Sequence, residues 1–91
     1  MESELEIYKS NEVSIEINGN ALIINENGNE TIILFDKIFA IEHFPKLRKI
    51  VLDVNSFGFT SYTIPNNPDL DKQYEMIKKV WLDIHNPHYD N

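Results

Sequence analysis

Arg48-Lys49-Ile50-Val51-Leu52-Asp53-Val54-Asn55, then Ser56-Phe57-Gly58, then Phe59-Thr60-Ser61-Tyr62-Thr63-Ile64 is the stretch that decides the fold. Ile50, Leu52 and Val54 alternate with Val51, Asp53 and Asn55, which is the two-residue period of a strand. Asn55-Ser56-Phe57-Gly58 supplies turn residues, and Phe59 to Ile64 alternates again. This reads as a β-hairpin with one apolar face. Such a face needs a cover, so the rest of the chain is read for what supplies it.

Upstream lie four more strand signals. Glu4 to Tyr8 alternates, Lys9-Ser10-Asn11 turns, and Glu12 to Ile17 alternates again. In that second run Val13, Ile15 and Ile17 point inward and Glu12, Ser14 and Glu16 outward. Asn18-Gly19 and Asn27-Gly28 each supply the two positive-φ centres of a type I′ hairpin turn. Between and after them, Ala21 to Asn25 is a third strand, apolar on both faces, and Glu30 to Phe35 a fourth, rich in Ile. Residues 36–44 admit two readings. Asp36 caps a short helix carrying Ile38, Phe39 and Ile41, stopped before Pro45; or Phe35-Asp36-Lys37 turns and Ile38 to Phe44 forms a fifth strand. The strand is preferred, which makes the deciding hairpin strands six and seven.

Downstream is one helix. Asn67 suits the N-cap, Pro68 the first helical position, and Asp69 and Asp71 the positive end of the dipole. Leu70, Tyr74, Ile77, Trp81 and Ile84 form one apolar stripe, widened by Met76 and Val80. Glu75 and Lys79 are placed to pair, Leu82 projects to the polar side, and Pro87 ends the helix before a frayed tail, His88 to Asn91. Trp81 lies mid-stripe and is expected to pack against the deciding hairpin.

The fold class is therefore mostly β with a C-terminal α-helix: one domain over 1–91, strands over roughly 4–64, helix over roughly 68–85. The expected form is an antiparallel meander curled into a half-open barrel; the alternative is an α+β fold with a five- or six-stranded antiparallel sheet and two helices. A hydrophobic fraction of 42 % supports a core. The chain has no Cys, which excludes disulfides and thiolate chemistry. No apolar run approaches the ~18 residues of a membrane span. The acidic start, Met1-Glu2-Ser3-Glu4, is unlike a signal peptide, and a cytoplasmic protein is expected.

Charge is the strongest functional signal. The net charge is −7, and residues 1–45 hold nine acids against two lysines, so the excess is entirely N-terminal. That asymmetry argues against nucleic acid or a membrane as a direct partner and for a basic protein. If the first two strands pair, Glu4, Glu6, Glu12 and Glu16 share the outer face, and Glu26 and Glu30 extend the acidic rim at the second Asn-Gly turn. Carboxylates so arranged imitate a phosphate array or meet a basic active site. These six are the candidate partner-binding residues.

Other constellations are weaker. His85 and His88 flank Pro87 without a third fixed ligand, so no metal is expected. His43 has no activated Ser or Cys to serve. Lys46, Arg48 and Lys49 form a small basic cluster that reads as a solubilised loop. Tyr8, Tyr62, Tyr74, Phe57 and Phe59 have the rings for base stacking but the wrong surrounding charge. With no acid–base or nucleophile set and no cofactor motif, a non-enzymatic protein is expected.

Asn20-Ala21-Leu22-Ile23-Ile24, Thr31-Ile32-Ile33-Leu34-Phe35-Asp36-Lys37-Ile38 and Ala40-Ile41-Glu42 resemble the apolar spacing of small bacterial pleckstrin-homology-like and GRAM-type domains, over roughly residues 4–85. The resemblance implies seven strands and a C-terminal helix. The family's lipid-binding members carry basic residues between the first two strands, where this chain has Lys9-Ser10-Asn11-Glu12. What the resemblance then implies is a protein-binding scaffold or adaptor. The acidic face implies instead an inhibitor of a basic nucleic-acid enzyme, such as a nuclease, of the toxin-immunity or phage-type anti-defence kind.

Overall fold

A computed structural model describes residues 4–55 and 59–85, with side chains at all of these except 4, 5 and 59. The expected turn at 55–58 and the tail at 88–91 lie wholly or mostly outside the described residues. Seven strands precede one helix: β1 (Glu4–Lys9), β2 (Val13–Asn18), β3 (Ala21–Glu26), β4 (Asn29–Leu34), β5 (Ile38–Phe44), β6 (Lys49–Asn55), β7 (Phe59–Thr63) and α1 (Leu70–His85). The strands form two antiparallel meanders, β1-β2-β3-β4 and β5-β6-β7, and do not close into a barrel. Residues 36–44 take the strand reading. Phe35–Lys37 is a single 3₁₀ turn, and β5 follows at once.

The two sheets share one apolar interior. Ile15 and Ile17 of β2, Leu22 and Ile24 of β3, Ile33 of β4, and Ile50 and Leu52 of β6 are all buried in it, together with Phe35 and Ile38 at the crossover between the sheets. Ile64, just after β7, and Leu70 and Ile77 of α1 complete it. Burying a side chain of this size contributes about 1.5–3 kcal/mol, so these residues carry most of what opposes chain entropy.

The two hairpin turns differ, because the first Asn-Gly sits one residue earlier than the turn needs. Asn18 pairs with Ala21, so the centre is Gly19-Asn20, and only Gly19 has positive φ, at 64°. That is the pattern of a type II′ turn, whose first central position requires Gly. In the second hairpin Glu26 pairs with Asn29, and Asn27 and Gly28 both have positive φ, at 53° and 86°, as type I′ demands.

A β-bulge between Glu6 and Tyr8 corrects the simple alternation of β1. Leu5 opposes Ile17 and Tyr8 opposes Ile15, so one extra residue is accommodated and both Ile7 and Tyr8 pack against the core.

The helix begins two residues later than read, at Leu70, and the Gln73 N–H reaches the Asp69 carbonyl at 3.0 Å. Asn67 Oδ1 accepts the Asp69 N–H at 2.9 Å in an Asx turn that leads into the helix. Sequence patterning did not show that Gln73 would be fully buried. Its Nε2 donates to Asn67 Oδ1 at 2.8 Å, its Oε1 accepts from Asn67 Nδ2 at 3.0 Å, and Arg48 Nη2 donates to the Asn67 carbonyl at 3.1 Å. The reciprocal amide pair removes the desolvation cost that a lone buried amide carries. Lys79 pairs with Asp83 and Glu75 with Lys78, each at 3.5 Å, instead of with one another.

Trp81 is half-buried and packs against the core that holds Ile50 and Leu52 of the β6–β7 hairpin. The indole Nε1 donates to the Ile38 carbonyl at 2.7 Å, at the start of β5, where Ile38 pairs with Val54 of the β6–β7 hairpin. Trp81→Ala should therefore lower stability by about 3 kcal/mol and Trp81→Phe, which keeps most of the packing, by about 1 kcal/mol in urea unfolding. Equal losses for the two variants would mean that the hydrogen bond, and not the packing, holds the helix.

Candidate protein-interaction surface

Pairing register places the candidate glutamates. On the first sheet the outward residues form rows across the strands. Glu6 opposes Glu16, Glu16 opposes Ile23, and Ile23 opposes Ile32. The next row runs Ser14, Asn25, Glu30. Glu6 and Glu16 are therefore direct neighbours on the outer face, as expected, and among the described residues neither has a cationic partner within ion-pair distance. Like charges facing across a strand pair oppose pairing.

The other four sites scatter. Glu30 is outward but on the far strand β4. Glu12 lies in the β1–β2 connection, where its N–H donates to Ser10 Oγ at 3.3 Å and its carbonyl accepts from Asn27 N at 2.8 Å. The Glu4 backbone pairs with Asn18, and its side chain lies outside the described residues. Glu26 is exposed at the turn end of β3, but it shares the parity of the buried Leu22 and Ile24 and so is not in the outer row. It lies near enough to Tyr62 of β7 for its charge to act on that phenol.

Sequence reasoning missed the apolar half of this face. Ile32 is 57 % and Leu34 41 % exposed, beside the half-buried Ile23. The signal was present: β4 is apolar at consecutive positions Ile32, Ile33 and Leu34, and a half-buried strand with that pattern must show some of them to solvent. The face is thus an apolar strip with carboxylates along two sides.

The remaining polar groups do structural work. His43 Nε2 lies 3.0 Å from Asp71 Oδ1, and the ring stacks on Tyr74 with centroids 4.2 Å apart, which ties β5 to the first turn of α1. His85 Nε2 donates to the Phe35 carbonyl at 3.1 Å. His88 and Asp90 are outside the described residues, and within those no group of three or more acidic, His or Cys side chains converges to hold a metal. No helix of the described residues is long and apolar enough to cross a membrane.

No protein-family model matches the chain, and no curated protein and no solved structure is detectably similar to it.

Tyr62 has its phenol raised above the ordinary value of 10.0, first by burial, with a further push from Glu26 and an opposing pull from a hydrogen bond with Thr31. A raised folded-state value means that the unfolded chain loses the proton first. The contribution is complete below pH 10.0 and is lost as pH climbs through the folded value. The stability difference between wild type and Tyr62→Phe should be constant at neutral pH and shift against wild type in alkaline urea titrations. A difference independent of pH would show that the phenol is not desolvated on folding.

Proposed function

We propose that this chain is a small, acidic, non-enzymatic protein-binding module whose partner is a basic protein. In this reading it inhibits a cytoplasmic nucleic-acid enzyme, such as a nuclease, in the manner of a toxin-immunity or phage-type anti-defence protein. The observation that carries the reading is the Glu6–Glu16 pair, held face to face with no cation beside it among the described residues, next to the half-buried Ile23 and the exposed Ile32. A sheet face that combines repulsive carboxylates with open apolar surface gains on both counts when a basic, partly apolar surface covers it. Negative potential also speeds encounter with a cation-lined site.

The element order favours a second reading. A four-stranded meander, a three-stranded meander and a C-terminal helix follow one another as in pleckstrin-homology-like domains, whose sheets make a half-open barrel. A scaffold or adaptor without inhibitory role is the alternative on that ground, and it rests on fold analogy.

Cross-linking in cells that express the chain supplies the partner, and stopped-flow mixing supplies the association rate. The partner should be basic, and its activity on nucleic acid should fall to background at equimolar ratio. Glu6→Gln with Glu16→Gln and Glu30→Gln should keep the fold and slow association by about ten-fold or more at low salt, with the gap narrowing as salt rises. A folded triple variant that associates at the wild-type rate rejects this face. Tight binding that leaves the partner fully active replaces inhibition with the adaptor reading.

A further inference from the structure

The first sheet ends in an edge strand that lacks the usual protections. Phe35 N–H donates to the Asn20 carbonyl at 2.7 Å, which sets the phase of the β3–β4 ladder. By alternation Asn29, Thr31 and Ile33 direct their backbone groups at β3, and Glu30, Ile32 and Leu34 direct theirs away from it. Among the described residues no ladder bond reaches Glu30 or Ile32 on that side, while the Leu34 carbonyl serves the 3₁₀ turn at Phe35–Lys37 and leaves its N–H outward. The other edges are guarded. β1 and β5 are bulged and lie against α1, and β7 shows Thr60, Ser61 and Thr63 to solvent. β4 has no bulge against β3, no Pro and no Lys, and it carries the exposed Ile32 and Leu34.

We infer that β4 pairs with β4 of a second copy, antiparallel about a two-fold axis, to give a continuous eight-stranded sheet. A second copy fits because one register satisfies every open group. Centred on Ile32, it sets Ile32 against Ile32 of the second copy, and Glu30 against Leu34 of the second copy. The outward N–H and C=O groups of Glu30 and Ile32 and the N–H of Leu34 then all find partners. The same register keeps like charge apart. The two Glu30 residues sit four positions apart along the pair, about 13 Å, which exceeds the ~8 Å screening length at physiological salt. The Ile23–Ile32 strip runs unbroken through the axis into its symmetry mate. This closed pairing consumes both edges, so it ends at two chains.

Sedimentation of the full chain from micromolar to millimolar concentration at ~150 mM salt, with residue-resolved amide exchange, tests the inference. The mass should move toward twice 10.7 kDa as concentration rises. The amides of Glu30, Ile32 and Leu34 should gain protection with it, while those of Thr31 and Ile33 are protected throughout. Ile32→Lys should raise the dissociation constant at least ten-fold. Ile23→Lys, on the same face but one strand inward, should leave the dimer in place. Glu6→Gln with Glu16→Gln should also leave it in place, which separates this inference from the basic-partner reading. A chain that stays monomeric at millimolar concentration overturns the inference. So does a dimer without the alternating protection, or one lost in Ile23→Lys, since either means that faces stack. Protection of these amides only on adding a different protein assigns the edge to that protein instead.

Discussion

The relation between the two sheets depends on one buried corner, Phe35 to Ile38. The chain leaves the first meander there and enters the second with a single 3₁₀ turn. Both Phe35 and Ile38 are fully buried, so the corner cannot turn outward without exposing a phenyl ring and a branched aliphatic chain. Its backbone is held from three sides. The Phe35 N–H reaches the first sheet at Asn20, the Phe35 carbonyl accepts from His85, and the Ile38 carbonyl accepts from the Trp81 indole. The C-terminal turns of α1 thus lock the angle between sheets that share no strand ladder. At the other end of the helix, His43 on Asp71 and the Asn67–Gln73 amide pair set where it starts. A helix fixed at both ends has little freedom to slide, and the interior it covers keeps one packing.

Most of the fold was legible because period and turn chemistry are local. The seven strands, the preferred strand at 38–44 and the C-terminal helix all follow from alternation, Gly and Pro placement and one stripe of apolar residues. What was not legible depends on partners far away in sequence. Asn18-Gly19 has the right residues for a type I′ turn, yet the pairing of Asn18 with Ala21 is decided by which side chains of β2 and β3 share the core. The bulge in β1 arises the same way, because Tyr8 and Ile7 both have apolar surface to bury. The burial of Gln73 has no signal in the periodicity of α1, because it depends on Asn67 pairing with its amide.

The candidate surface was half legible for the same reason. Alternation along β2 correctly turned Glu16 outward, and pairing of the first two strands brought Glu6 beside it. Glu26 is exposed at the second Asn-Gly turn, but parity, which it shares with Leu22 and Ile24, keeps it out of the row of Glu6 and Glu16. The apolar strip was harder to see because Ile32 and Leu34 are indistinguishable from core residues by type. Only the position of β4 at the end of its sheet leaves its outer side chains without a covering layer.

Charge and edge exposure bear on one another in a chain of this size. A net charge of −7 on 91 residues keeps copies apart at long range, and screening at physiological salt removes most of that repulsion beyond about 8 Å. Long-range charge therefore limits how often two molecules meet but cannot correct an edge once they touch. Edge protection has to be local, and in the first sheet it is unequal: β1 has its bulge and the neighbouring helix, whereas β4 has Glu30 alone. A single carboxylate at one end of a six-residue strand blocks pairings that bring two such ends together and permits the antiparallel one that separates them. The placement of Glu30 thus selects orientation and leaves pairing itself unopposed, while Glu6 and Glu16, on the same face but toward the β1 edge of the sheet, remain free to act on something basic.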